Sequence, residues 1–529
     1  MLKHVFSNPS TLKFIVEATK GLILALVVYF VQQHFFKSKN QKRLPPGPVG
    51  IPILGNLLQI GLEPFKTFDK WGKKYGPIFT VKLGARNCLI LNSREVINDI
   101  YVKRGSNFSN RLHMSLLSDI FMHGGRGITV TPYGERWKRD RKVAHSALGP
   151  KAVKNYQPAV IHEIRVALKE LYKKSNKNFD AAPVMRRFTI SSVMTILYGK
   201  KIKGIDDPWL IDTLNFAEDI AEFSQPTSHI ADFLPFMKIF DCIYNPALKK
   251  CYKLSATMER LFAGTYREFL EDYHAGKHID PCFALEIQED LKKEENNLDF
   301  EDVWIILANL LGGAFQTGGD TLLWIQGLLT NNPDVQARLH KELDEVCGDN
   351  PPTFEDQPNL PYVSAVINEG LRMRPPNPMG IPHTSMEDDE YNGYFIPKDT
   401  PTFMNMKAVH FDPVRYPEPE KFYPERWLPK IAKTHRRNDS GAEVEQGIDH
   451  IAFGAGRRYC IGQYMAQALL YAGISNILWA FEIKPIIDAN GKPVPVDIDR
   501  GIVGLGYSPY PYEVRYIPRK NLAEILKDY

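Results

Sequence analysis

One cysteine and its neighbours constrain this chain most. Residues 453–462 read F-G-A-G-R-R-Y-C-I-G, so Cys460 stands between a glycine-rich turn and a long apolar stretch with helical spacing. A thiol is a soft anionic ligand once deprotonated, and a bound iron centre lowers its pKa enough to hold it as thiolate. Gly454, Gly456 and Gly462 let backbone approach a flat ligand and leave N–H groups free to point at the sulfur. A buried structural cysteine in a glycine-rich loop is the alternative reading of the same ten residues.

Four other motifs carry polar groups in places where they need a reason. Residues 132–148 contain W-K-R-D-R, and helical spacing puts Trp137 and Arg141 on one face. Arg136, Lys138, Arg139 and Lys142 add a basic surface around them. Residues 305–329 read as one long apolar helix containing A-F-Q-T-G-G-D-T-L. Gly318 and Gly319 are costly in a helix interior, which points to close packing or room for a ligand. Asp320 and Thr321 are polar groups in an apolar helix and need partners or a function. In E-G-L-R, Glu369 and Arg372 can pair on one helical face. Further on comes P-E-R-W with Arg426. Burying any of these three charged groups is costly unless every hydrogen bond is met. Between them, P-P-N-P-M-G-I-P-H-T presents His383.

Together, in this order, the motifs resemble those of the cytochrome P450 monooxygenases, and the resemblance covers nearly the whole chain. It implies a mainly α fold with small β-sheets, a triangular helical domain plus a small β-rich lobe. It implies haem b, with Cys460 as the axial thiolate. Phe453, Gly454, Arg458 and Gly462 would belong to the haem loop. Trp137, Arg141, Arg458 and His383 would hold the propionates. Thr321 would organise a water and proton relay with Asp320 as the acid beside it. Thr317 and Leu322 depart from the family pattern, and Thr317 would narrow or polarise the pocket. Met379, Gly380 and Ile381 would line it near the haem, and the aromatic tail around residues 505–509 would reach back into it. Phe223, Phe233 and Phe236 are candidate pocket or core residues.

The rest of the chain extends this expectation. Residues 21–31 are an unbroken apolar run, extended unevenly to Phe36 and flanked by Lys37, Lys39, Lys42 and Arg43. A tilted span over residues 14–36 would need Glu17 and Lys20 to snorkel or pair. The basic flank puts the following chain on the cytosolic side; a surface amphipathic or buried helix is the other reading. Residues 44–56 read as a stiff proline-rich connector. The division expected is residues 1–43 as anchor and basic flank, 44–56 as hinge, and 57–529 as catalytic domain. Six scattered cysteines give neither a disulfide framework nor paired zinc spacing. A formal charge of +5 over 529 residues does not argue for nucleic acid.

No flavin or nicotinamide domain is evident. The resemblance therefore implies electrons from NADPH through NADPH–cytochrome P450 reductase, with cytochrome b5 as a further donor, at the endoplasmic reticulum membrane. The basic residues of W-K-R-D-R would face the reductase. The general look is fungal, and T-P-Y-G-E-R-W-K-R-D-R-K-V-A-H-S-A-L and the Ser508-Pro509-Tyr510 tail resemble fungal phenylacetate-type hydroxylases, which implies hydroxylation of a small lipophilic, aromatic substrate; sterol, fatty-acid and secondary-metabolite oxidation stay open beside it. Two alternatives stay open from sequence: an isomerase or dehydratase of the same fold that needs no external electrons, and a non-enzymatic haem-binding membrane protein.

Overall fold

The computed structural model describes residues 43–224, 229–234, 237, 245–292, 297–432, 450–504 and 506–527, together with Glu17, Lys20 and Gly21. The expected anchor and most of its basic flank lie outside the described residues, as does Phe236. Lys20 pairs with Glu17 at 2.8 Å. Among the described residues no helix is long and apolar enough to cross a membrane.

The fold is mainly helical. Helices α1 (Pro64–Tyr75), α2 (Glu135–Leu148), α3 (Pro150–Lys173), α4 (Ala182–Tyr198) and α5 (Pro208–Phe223) precede a central pair, α6 (Phe300–Phe315) and α7 (Thr317–Asn331). Helices α8 (Pro333–Cys347), α9 (Pro361–Met373) and α10 (Gln463–Ala480) follow. Proline opens α1, α3, α4, α5, α8 and α9 in the first turn, where its missing N–H removes no helical bond. Helix α8 shows the common logic: Val335, Leu339 and Leu343 recur on one buried face, and Gly348 with φ 56° follows its end. Helix α10 is buried almost throughout, so it lies inside the core rather than on it. It packs so closely on α7 that a β-carbon at Gly473 would sit 2.6 Å from Leu322 Cδ2.

The single long helix expected over 305–329 is broken at Gln316 into α6 and α7. Thr317 Oγ1 donates to Gly313 O, and Thr321 Oγ1 to Thr317 O, each at 2.6 Å. Hydroxyls bonding back to the preceding turn bend a helix. The glycines after the break serve packing: β-carbons at Gly318 and Gly319 would each lie 3.1 Å from α4, against Thr189 Cγ2 and Arg186 Cγ.

Strands β1 (Ile78–Leu83) and β2 (Arg86–Leu91) form a hairpin turning on Gly84 and Ala85, so Arg86 and Asn87 belong to the strand rather than the turn. Three short strands complete a sheet: β3 (Asn110–Arg111), β4 (His383–Thr384) and β5 (Pro401–Met404), in the order β1-β2-β5-β4-β3. The β2–β5 pairing is parallel. The expected hinge is docked on this sheet, with Thr80 N–H donating to Pro46 O at 2.8 Å and Asn56 N–H to Lys82 O. Prolines keep their carbonyls while losing donors, so such a segment can line a strand edge without extending the sheet. Near the C-terminus, β6 (Phe481–Ile487) pairs with β9 (Val514–Pro518), and the hairpin β7 (Gly501–Val503) and β8 (Tyr507–Pro509) lies between them in sequence. Phe223 is buried in the helical core and Phe233 against the sheet.

Candidate functional site

The cysteine loop is pinned by its own backbone. Gly454 N–H donates to Ile451 O, and Cys460 N–H to Phe453 O, both at 2.9 Å. Gly454 and Gly456 take φ values of 86° and 69°, which disfavour a β-carbon. At Gly456 a β-carbon would strike the Tyr101 carbonyl. That glycine therefore admits protein backbone, not a ligand, contrary to the expectation from sequence. Phe453 packs with its ring 6.1 Å from His450 and 6.4 Å from Tyr459. Burial pushes the Cys460 thiol pKa up, while the Gly462 N–H and the Arg141 charge favour the thiolate. The side chain is exposed nonetheless. Exposure and surrounding protein density coexist where a side chain opens on an enclosed space.

Three guanidiniums converge beside the loop. Arg458 donates to the carbonyls of Ser109 (2.8 Å), Ile128 (3.1 Å) and Thr131 (2.7 Å). Arg111 donates to Thr129 O at 2.9 Å and Ile381 O at 2.7 Å. Arg141 donates to Tyr459 O at 2.6 Å. Trp137 lies between two of them, its ring 4.3 Å from Arg458 and 5.4 Å from Arg141. Carbonyls satisfy donors but cancel no charge, and among the described residues no carboxylate pairs with these three arginines. Burial, followed by the neighbouring guanidiniums, pushes Arg458 down to about 8. Burial brings Arg111 to about 10, with Arg141 adding to the fall and Tyr101 opposing it. The Trp137 indole N–H is buried without a partner. Such a donor set suits a flat ligand with anionic edges, and a thiol faces the same region. An iron porphyrin with two propionates meets both demands, so the residues fit the haem that the motifs imply. Arg111 was not legible in the sequence: the β3–β4 register, Arg111 opposite His383, brings it here across the chain.

His383 sits in β4, stacked on Tyr101 at 4.1 Å. Its Nδ1 is 2.7 Å from Phe108 O. A carbonyl only accepts, so Nδ1 carries the proton and Nε2 of the neutral ring is an acceptor. Burial, then the charge of Arg111, holds its pKa well below the ordinary range. His383 thus lies beside the arginine cluster with its N–H committed to Phe108 O, so the neutral ring has no donor left for a propionate, contrary to the expectation from sequence.

The central helix is buried on both flanks but opens at residues 312–314 and 316–317. Just beyond, Asp320 is only 3% exposed. Its Oδ1 accepts from Arg186 of α4 at 3.1 Å, and its Oδ2 accepts from Ser508 Oγ. Gln316 Nε2 donates to Ser508 Oγ at 3.0 Å. Thr321 spends its hydroxyl proton on Thr317 O, which leaves its oxygen able to accept. Neither Arg186 nor Ser508 carries a local sequence signal for this contact. Met379 packs with Phe65, Trp324 and Tyr507. A separate cleft of about 420 Å³ runs past Gln336, His340 and Glu482, and none of these site residues lines it.

Glu369, fully buried, anchors the framework behind the loop. It accepts from Arg372 Nε and Nη2 at 2.8 Å each, from Arg426 Nε at 3.1 Å, from Tyr423 N–H at 3.0 Å and from Trp427 Nε1 at 2.8 Å. The link to the cysteine loop is His410, which the sequence reading missed. Its Nδ1 bonds Arg372 O at 2.8 Å and its Nε2 accepts from Ile451 N–H at 2.9 Å. That geometry requires a neutral ring, and burial holds the His410 pKa well below the ordinary range.

A pH dependence follows. His383 and His410 have depressed pKa values when folded, so below an unfolded value of about 6.5 the unfolded chain binds more protons. Their contribution to stability is full above that pH and is lost progressively as pH falls below it. Urea midpoints measured from pH 7.5 to 5 should therefore decline on the acid side, and His410→Gln should flatten the decline while lowering stability at pH 7.5.

The expected basic surface is divided. Arg139 is turned inward, bonding Asp140 and Asp302 at 2.7 Å each. Lys138 pairs with Glu135 at 2.6 Å. Arg136 and Lys142 are exposed on α2, and Arg457 of the cysteine loop is exposed as well.

Comparison with known proteins agrees with this geometry. The sequence model of the family Cytochrome P450 matches residues 45–514. A cytochrome P450 monooxygenase of Armillaria gallica is 32% identical over 96% of this chain and 95% of its own length. Cytochrome P450 monooxygenase 79 of Postia placenta is 31% identical over 96% of each chain. Cytochrome P450 monooxygenase 69 of the same organism is 32% identical over 97% of this chain and 96% of its own.

Proposed function

Because this chain belongs to the cytochrome P450 family, we propose that it inserts one atom of O2 into a small lipophilic substrate, with an aromatic compound as the narrower choice. The family makes it a haem monooxygenase; substrate and electron source are the proposed part. When bound, the haem supplies O2 activation, with the electron-rich thiolate favouring O–O cleavage. The chain's own residues do the rest. Cys460 donates the sulfur, and Arg111, Arg141, Arg458 and Trp137 offer charge and donors to the propionates. Thr321, buried one turn beyond the open stretch of the central helix, accepts a hydrogen bond from water reaching it from that side, and Asp320 relays protons toward it. The observation that carries the reading is the uncompensated arginine cluster and orphaned Trp137 N–H beside an exposed Cys460.

Electrons are assigned to NADPH through a reductase docking on the basic face, now reduced to Arg136, Lys142, Arg457 and the paired Lys138. Cytochrome b5 is a secondary donor. Residues 14–36 would hold the protein on the endoplasmic reticulum membrane with the catalytic body in the cytosol; the Glu17–Lys20 pair supports that placement, since pairing lowers the cost of charge near lipid.

Turnover of a panel of small aromatics should require both NADPH and reductase. Product formed without either would replace this reading with isomerase or dehydratase chemistry. Thr321→Ala should keep the haem spectrum and lower product per NADPH about tenfold or more, with peroxide or water as the sink. Unchanged coupling in that variant would remove Thr321 from the relay.

A further inference from the structure

We infer that Ser508, on the C-terminal strand β8, is a positioning residue that fixes the carboxylate of Asp320 for proton relay, with Gln316 orienting Ser508 in turn. The inference rests on reading Asp320 as the acid of that relay. It starts from the direction of the hydrogen bonds. An ionised carboxylate only accepts, so the Ser508 hydroxyl must give its one proton to Asp320 Oδ2. Ser508 Oγ is then an acceptor toward Gln316, whose Nε2 lies 3.0 Å away. The amide orientation of Gln316 follows from this chain of donors. Its Oε1 is left buried without a partner, an acceptor at the break between α6 and α7. Asp320 thus has one oxygen on Arg186 and the other on Ser508, and the two together fix the plane of the carboxylate.

The strand that carries Ser508 is itself held from several sides. Tyr507 N–H donates to Pro376 O at 2.6 Å, and Tyr507 OH to Glu63 Oε1 at 2.7 Å. Trp324 Nε1, one turn beyond Asp320 on α7, donates to Tyr507 O at 2.8 Å. At the hairpin tip a β-carbon on Gly504 would lie 3.0 Å from Ala221 Cβ of α5. The hydroxyl is therefore presented by a frame built from Glu63 just before α1, from α5 and α7, and from the segment after α9, rather than by a free tail. Contacts this well determined are what a relay group requires, because a small misplacement costs much of its effect.

The test compares Ser508→Ala, Ser508→Thr, Gln316→Leu and Asp320→Asn in the full-length haem-loaded enzyme, with 7-ethoxycoumarin as probe. Product per NADPH, the solvent deuterium isotope effect and the melting temperature are measured for each. Turnover driven by added hydrogen peroxide is measured in parallel, since peroxide carries its own protons and needs no NADPH. Ser508→Ala should lower product per NADPH about tenfold, raise the solvent isotope effect and leave peroxide-driven turnover unchanged. Ser508→Thr keeps a hydroxyl and should recover most of the coupling. Gln316→Leu should fall in between. The double variant Ser508→Ala/Asp320→Asn should couple no worse than Asp320→Asn alone, because two residues acting as one unit are not additive. A crystal structure of Ser508→Ala should show the Asp320 carboxylate rotated onto Arg186. If Asp320→Asn uncouples while Ser508→Ala does not, the inference about Ser508 is overturned and the relay stands. If Asp320→Asn itself leaves coupling unchanged, the underlying reading of Asp320 fails.

Discussion

Cys460→Ala is expected to lose the red-shifted band of the reduced, carbon-monoxide-bound protein and all reductase-driven turnover. The Cys460 sulfur can donate charge directly to a haem iron. Burial raises the Cys460 pKa, and the Gly462 N–H and the Arg141 charge oppose that rise. Alanine removes the donor but keeps the loop, whose shape depends on Gly454, Gly456 and the Cys460 N–H bond to Phe453. The arginine cluster should retain part of the pigment, so the measurement is the band position in the difference spectrum, read beside haem content. A variant that keeps the red-shifted band would end the ligand assignment.

Glu369→Ala carries the second large effect, on folding. The carboxylate takes bonds from Arg372, Arg426, Tyr423 and Trp427, and neither Glu369 nor Arg372 is exposed at all. Removing it strands a buried guanidinium and leaves an indole N–H unpaired. Breaking a buried ion pair from one side costs about 3–5 kcal/mol, a large part of a typical folding free energy of about 5–15 kcal/mol. The damage should spread, because Arg372 O is bonded to His410 and His410 holds Ile451 at the start of the cysteine loop. Soluble yield and the urea midpoint should both drop sharply, and haem incorporation with them. Glu369→Gln should be milder, since it keeps an acceptor for Trp427. A Glu369→Ala protein with the wild-type midpoint would show that the cluster adds nothing to stability.

Much of the site was legible because its residues lie in short local patterns. The cysteine loop, the Trp137–Arg141 face and the Glu369–Arg372 pair each follow from spacing along one loop or one helix. The break at Gln316 was not, although its causes, Thr317 and Thr321, stand in the sequence: whether a threonine bonds backward or outward depends on its surroundings. The expected basic patch failed at Arg139 for a related reason, since Asp302, its partner, sits far off in the chain at the start of α6.

By itself the sequence determined much of the helical framework and the order of the motifs, because periodicity and local spacing act within a few residues, and the motif around Cys460 marked one of six cysteines as the ligand. Tertiary structure alone decided that Arg111 joins Arg141 and Arg458, that His383 gives its N–H to Phe108, that His410 ties Arg372 to the cysteine loop, and that Ser508 reaches Asp320. Each of these contacts depends on strand register or helix packing between distant segments. Such contacts are set by the burial of whole elements, and no short stretch of residues encodes them.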